Sequence, residues 1–178
     1  MIGRLLTAAA TGCAIVGISA VHAQMSPAPT PVVVDVEQGS LSGDSSSGVN
    51  IFRGIPYAAP PVGPLRWKPP QPVPAWRGIR TATANEPACA QPVDPDPSVP
   101  NFGGVQGAQS EDCLYLTLFA PANAKGAPVV VWLHGGAYFL GAGSLGSYDG
   151  SANARDGVIT VDVNYRLGSM ASFTHPAL

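Results

Sequence analysis

Val129-Val130-Val131-Trp132-Leu133-His134-Gly135-Gly136-Ala137 is the stretch that decides the fold. Five uninterrupted apolar residues predict a strand buried on both faces, as in a parallel sheet. The glycines after it predict a tight loop at the strand's carboxyl end. Val158 to Val163 is a second β-branched run, and Ser151 to Asp156 between the two reads as a short helix with Gly157 as its C′ residue. Strand, loop, helix, strand is a parallel unit, so the class is α/β. Upstream, Leu114 to Phe119 alternates as a third strand. Val32 to Val36, Gly39 and the polar run Leu41 to Ser47 predict a hairpin, and Ile51 to Tyr57 a short strand ended by Pro56. Ala59 to Pro74 holds too much proline for a helix or a central strand, and is expected to cross a surface with Trp67 and Trp76 as anchors. Ser26 to Pro31 and Pro92 to Pro100 are further Pro-rich stretches, the first expected to be mobile. No internal repeat is present.

The chain has 178 residues, 9 basic and 11 acidic, with 46% hydrophobic and 11% charged residues. That is enough apolar matter for one domain's core. The charge balance gives nucleic-acid binding no basic patch. No apolar run reaches the roughly 18 residues of a membrane span. Arg4, the apolar run Leu5 to Ile18 and Val21-His22-Ala23 read as a secretory signal peptide over residues 1–23, cut after Ala23. The protein is then expected to be secreted or periplasmic, with no membrane attachment after cleavage. Cysteines 89 and 113 remain in residues 24–178. In an oxidising compartment they form one bridge; the other reading is a pair of buried thiols.

A strand ending in a glycine loop can aim backbone N–H groups at one point, which suits the oxyanion of a tetrahedral acyl intermediate. Glycine lets the backbone approach a substrate closely and adopt φ values closed to other residues. A plain tight turn is the competing reading. Three nearby patterns are set aside. Gly141-Ala142-Gly143-Ser144-Leu145-Gly146 fits a dinucleotide fingerprint, but His134 to Leu140 separates it from the strand. Ser144 resembles an elbow nucleophile, but no strand leads into it. His134 and His175 lack partners at metal spacing; His134 is expected to buttress the loop, and His175 to be a surface or packing residue.

Several blocks together resemble the type-B carboxylesterases of the α/β-hydrolase fold, which include cholinesterases and bacterial p-nitrobenzyl esterases. Phe52-Arg53-Gly54-Ile55-Pro56-Tyr57-Ala58, Pro60-Pro61-Val62-Gly63 and Leu65-Arg66-Trp67 resemble the family's N-terminal block. Glu111-Asp112-Cys113-Leu114-Tyr115-Leu116 resembles its second hallmark, with Thr117 where Asn or Asp is usual. His134-Gly135-Gly136-Ala137 resembles the oxyanion loop, and Asn164-Tyr165-Arg166-Leu167-Gly168 the strand end that follows. Ala171 and Ser172 stand where Gly and Phe are usual.

The resemblance implies the N-terminal part of an α/β-hydrolase: a small β-hairpin sheet plus the first strands of the central mixed sheet. It implies that the Gly136 and Ala137 N–H groups are oxyanion donors supported by Gly135, that Cys89 and Cys113 are bridged, and that Arg66 pairs with Glu111. The substrate class is a small carboxylic ester, and no cofactor or metal is implied. Arg166 is expected to lack its usual acidic partner, and to be exposed or costly. The family's nucleophile lies in G-x-S-x-G, a pattern absent from these 178 residues. Residues 24–178 therefore read as a truncated portion of a serine esterase, inactive alone. By family topology the nucleophile's strand pairs beside Val129–Leu133, which otherwise leaves an open edge. A non-catalytic cholinesterase-like adhesion module, or a gene relic, is the alternative. N-terminal sequencing of the exported protein is expected to begin at Gln24; a retained Met1 in an extracytoplasmic fraction would remove the signal-peptide reading.

Overall fold

A computed structural model describes residues 28–93, 96, 104–105 and 107–172. The expected signal segment 1–23, most of Pro92 to Pro100, and His175 lie outside the described residues. The strands are β1 (Thr30–Val36), β2 (Gly39–Ser46), β3 (Val49–Pro56), β4 (Ile79–Thr81), β5 (Ala88–Cys89), β6 (Gln109–Ser110), β7 (Tyr115–Pro121), β8 (Val129–Leu133) and β9 (Ile159–Val163). Two short helices, α1 (Ser151–Arg155) and α2 (Gly168–Ala171), flank β9 in sequence. Among the described residues no helix is long and apolar enough to cross a membrane.

The principal sheet runs β1-β2-β3-β7-β9-β8, with β4 parallel to β2 off that path. β1 and β2 form the expected hairpin, Val36 facing Gly39 across the turn. β1 starts at Thr30, so the Pro-rich leader is partly strand; Pro31 is tolerated because β1 is an edge. β3 pairs antiparallel with β7, with a register break between Phe52 and Ile55. There Gly54 has φ +68°, and an added Cβ would lie 2.8 Å from Ala84 O. β7 pairs antiparallel with β9, and β9 parallel with β8. The β8–α1–β9 crossover is thus the expected parallel unit, ended by Gly157 at φ +89°.

The core is divided. Leu41, Phe52 and Ala82 pack under Trp76; Val49 and Phe119 pack on Ala154 of α1; Ala58, Cys89, Cys113, Leu114 and Leu167 form a third cluster against Tyr165. Of the two expected anchors, Trp76 is half-buried and donates to Ser40 O (2.9 Å), whereas Trp67 is exposed and donates to Ser169 O (3.1 Å).

One expectation is corrected. Val129–Leu133 is not buried on both faces: every residue of β8 is exposed, from 44% at Trp132 to 65% at Leu133. The reason is position. β8 pairs only with β9, so its outer edge carries no ladder among the described residues, and no described helix covers its faces. A bare apolar edge is a template for self-association. Val131→Lys puts a charge on this strand without touching the core. It is expected to shift isolated residues 24–178 from associated toward monomeric in size-exclusion chromatography with light scattering. Equal association of both chains would rule out β8 as the cause.

Candidate functional site

The loop after β8 depends on unusual backbone angles. Gly136 has φ +116°, Ala137 +54° and Tyr138 +59°. A Cβ on Gly136 would sit 1.9 Å from Leu140 O, so glycine is obligatory there. The Phe139 and Leu140 N–H groups both donate to Gly136 O, at 2.9 and 3.1 Å, and close the turn. The left-handed angles at Ala137 and Tyr138 each cost about 1 kcal/mol. Gly135 differs: its Cβ position is open and its φ is not positive, so no described neighbour requires glycine at 135. Among the described residues neither the Gly136 N–H nor the Ala137 N–H has an acceptor. The loop borders a hollow of about 370 Å³ lined by Leu133, His134, Gly135, Ala137, Tyr138 and Tyr165. Free backbone donors beside an apolar hollow can stabilise negative charge developing on a substrate oxygen.

Long-range bonds hold this loop. His134 is buried and stacks on Tyr165, centroids 4.3 Å apart. The Tyr165 hydroxyl donates to His134 O. His134 Nδ1 lies 2.7 Å from Gly135 O, which requires the Nδ1–H tautomer. Burial pushes the His134 pKa down, so the ring is neutral at pH 7, and Nε2 is buried without a partner among the described residues. This places His134 as a buttress. The Gln91 side chain pairs with Gly141 on both sides, donating to its O (2.9 Å) and accepting from its N–H (2.8 Å). Asn164 Oδ1 accepts from Gly143 N–H at 2.8 Å. Gly168 N–H donates to Tyr138 O at 2.7 Å.

The structure brings Cys89 and Cys113 together, with an S–S distance of 2.04 Å. On the chain-entropy model a loop of this length contributes about 3 kcal/mol. Arg66 and Glu111 form a two-pronged pair, Nε to Oε2 at 2.6 Å and Nη2 to Oε1 at 2.7 Å. Arg166 is half-buried; its Nη1 donates to Lys68 O at 3.0 Å, and no carboxylate among the described residues pairs with it. It is therefore neither exposed nor without an acceptor. Ser144 follows a loop rather than a strand and precedes a single 3-10 turn, Gly146–Tyr148. Among the described residues no group of three His, Cys, Asp or Glu gathers as a metal site. Asp162, 2% exposed on β9, is pushed up to about 7 by burial and then by Asp149.

Sequence reasoning assigned no role to Gln91, Tyr57 or Asn164. Tyr57 and Asn164 stand inside quoted family blocks, and Gln91 two residues after Cys89, but the bonds of Gln91 to Gly141 cross 50 residues, that of Asn164 to Gly143 crosses 21, and that of Tyr57 OH to Asn164 O crosses 107. Gly136→Ala is expected to cost about 3 kcal/mol from overlap and left-handed strain, and Gly135→Ala within about 0.5 kcal/mol. Hydrogen exchange at the Phe139 and Leu140 amides checks this: protection lost in the first variant and kept in the second. Equal protection in both would remove the steric argument.

The carboxylesterase family model matches residues 30–175. Para-nitrobenzyl esterase of Bacillus subtilis is 46% identical over 142 residues, 78% of this chain and 28% of that protein. Fumonisin B1 esterase of Sphingopyxis macrogoltabida is 40% identical over 83% of this chain and 26% of that protein, and acetylcholinesterase of Bungarus fasciatus 41% over 76% and 24%. A solved PNB esterase superposes with a TM-score of 0.72 at 44% identity, covering 82% of this chain and 30% of that one. The chain thus spans less than a third of these relatives, and by sequence and fold together it belongs to the carboxylesterase family.

Proposed function

We propose that this chain is the N-terminal portion of an exported serine carboxylesterase, secreted or periplasmic, that hydrolyses small carboxylic esters through an acyl-enzyme. The observation that carries the reading is the loop at Gly136 and Ala137: two backbone donors without acceptors among the described residues, beside an apolar hollow, in a carboxylesterase-family chain. In the proposed reaction the ester carbonyl oxygen lies against these N–H groups. A serine hydroxyl attacks the carbonyl carbon as the histidine base takes its proton, and the charge moves onto that oxygen. Preorganised donors stabilise it without reorganisation, and one such donor is worth about 10²–10³ in kcat. Collapse breaks the ester C–O bond, the alcohol leaves with that proton, and water then hydrolyses the acyl-serine. Serine, acid and histidine base are proposed to come from sequence other than these 178 residues, since no G-x-S-x-G occurs within them. Residues 24–178 alone are then inactive. The scheme uses no metal or cofactor. No specific observation favours the adhesion-module reading.

The test is a graft. Residues 30–172 replace the matching segment of the Bacillus subtilis para-nitrobenzyl esterase. The hybrid is expected to hydrolyse a p-nitrophenyl ester. Gly136→Ala is expected to lower kcat about 100-fold with a small change in KM, and Ser144→Ala to leave both unchanged. Turnover by the ungrafted 178-residue chain that Ser144→Ala abolishes would overturn the reading.

A further inference from the structure

At Gly141 the exit of the glycine loop crosses its entry. Gly141 has φ +116°, and a Cβ there would lie 2.4 Å from His134 Nδ1 and 2.8 Å from Gly135 O. The backbone at 141 is thus packed on residues 134 and 135, immediately before the Gly136 and Ala137 donors. Gly141 is buried, so its own N–H and carbonyl cannot turn to water. No backbone group among the described residues takes either of them.

Both go to one side chain. Gln91 Oε1 accepts from Gly141 N–H (2.8 Å), and Gln91 Nε2 donates to Gly141 O (2.9 Å). The N–H belongs to the peptide plane before Gly141 and the carbonyl to the plane after it. One planar amide therefore fixes two consecutive peptide planes, which a single bond would leave free to rotate. Gln91 is itself held from outside the loop. Its Nε2 also donates to Cys89 O (3.0 Å), and its backbone N–H donates to Gln109 Oε1 (2.9 Å). Cys89 lies in β5, Gln109 in the paired β6, and Cys89 is bridged to Cys113. Gln91 is not among the residues that line the hollow.

We propose that Gln91 is a positioning residue for ester hydrolysis: by fixing Gly141 it sets the direction of the Gly136 and Ala137 N–H groups, and it touches no substrate. This role rests on the proposed esterase activity. The turn between is closed by its own bonds from the Phe139 and Leu140 N–H groups to Gly136 O, so it moves as a unit. A shift at Gly141 is carried to residues 136 and 137 rather than absorbed. Gly168 N–H on Tyr138 O and Asn164 on Gly143 N–H keep the loop folded without Gln91, so its loss misaligns the donors. Hydrogen bonds weaken steeply with angle, and a misplacement of about 1 Å can cost about 100-fold in rate. The transition state, with its charge on the oxygen, loses more than the bound ester does.

The grafted hybrid carries the test, with two substitutions. Gln91→Leu removes both bonds to Gly141. Gln91→Glu keeps the shape; its ionised form has no donor for Gly141 O, and its protonated form regains one and restores the two-bonded clamp. Gln91→Leu is expected to lower kcat at least tenfold with KM within about twofold. It is expected to weaken by the same factor a trifluoromethyl ketone, whose serine hemiketal places an oxyanion on these donors. Relative to the unsubstituted hybrid at each pH, Gln91→Glu is expected to match the loss in Gln91→Leu near pH 8. It is expected to recover at least fivefold by about pH 5.5, as the carboxylate gains its proton. His134, beside Gly141, is present in both proteins and cancels in that ratio. Equal kcat with leucine at 91, a fall in kcat without loss of ketone affinity, or a Gln91→Glu ratio flat across pH overturns the assignment. That ratio decides the matter if Gln91→Leu does not fold. An unsubstituted hybrid without turnover overturns the esterase reading and this role with it.

Discussion

Asn164 is the joint on which the site depends. Its backbone N–H donates to Tyr115 O (3.0 Å) and its carbonyl accepts from Tyr57 OH (2.6 Å). Its side chain accepts from Gly143 N–H and donates to Pro87 O (3.5 Å). One buried residue just after β9 thus fixes the ends of β3 and β7, the segment before β5 and the exit of the glycine loop. A buried amide must find partners or cost about 1–3 kcal/mol per unmatched group. Asn164 meets that demand only when all four segments are in register, so a local requirement becomes a global one.

Gln91 applies the same logic from the other side. Its side-chain amide meets Gly141 as a strand would, with one donated and one accepted bond. It also donates to Cys89 O (3.0 Å), so the glycine loop is tied to β5, which pairs with β6 and carries the bridge to Cys113. Burial of His134 against Tyr165 closes the remaining side. Support by side chains, rather than by helix or sheet ladders, lets a backbone with three successive positive φ values stay in place.

The strands were legible because alternation and β-branched runs leave a local signature; the hairpin, β3, β7, β8, β9 and α1 all stand within a few residues of expectation. The burial of β8 was not legible, because a strand's composition records the neighbours it suits, and its exposure depends on which neighbours are present. Cys89 with Cys113 and Arg66 with Glu111 came through family resemblance, since spacing alone does not name a partner. The roles of Gln91, Tyr57 and Asn164 left no local mark, because side-chain bonds to a distant backbone have no period. Tyr138 is a further case. Nothing about a tyrosine announces a left-handed residue; the turn imposes it, and Gly168 N–H holds its carbonyl.

The register of β3 on β7 joins Pro56 to Tyr115, so the sheet closes a segment nearly sixty residues long that holds little sheet of its own. The Cys89–Cys113 bridge lies inside that segment. Shortcutting it trims the effective loop to about thirty-five residues. Because closure entropy grows only with the logarithm of length, this lowers the cost of pairing β3 with β7 by about 0.4 kcal/mol. Set against the roughly 3 kcal/mol the bridge contributes to stability, it is a poor guide and a good lock. The sheet must find its long-range register on its own, and the covalent link then retains what side-chain contacts have already selected.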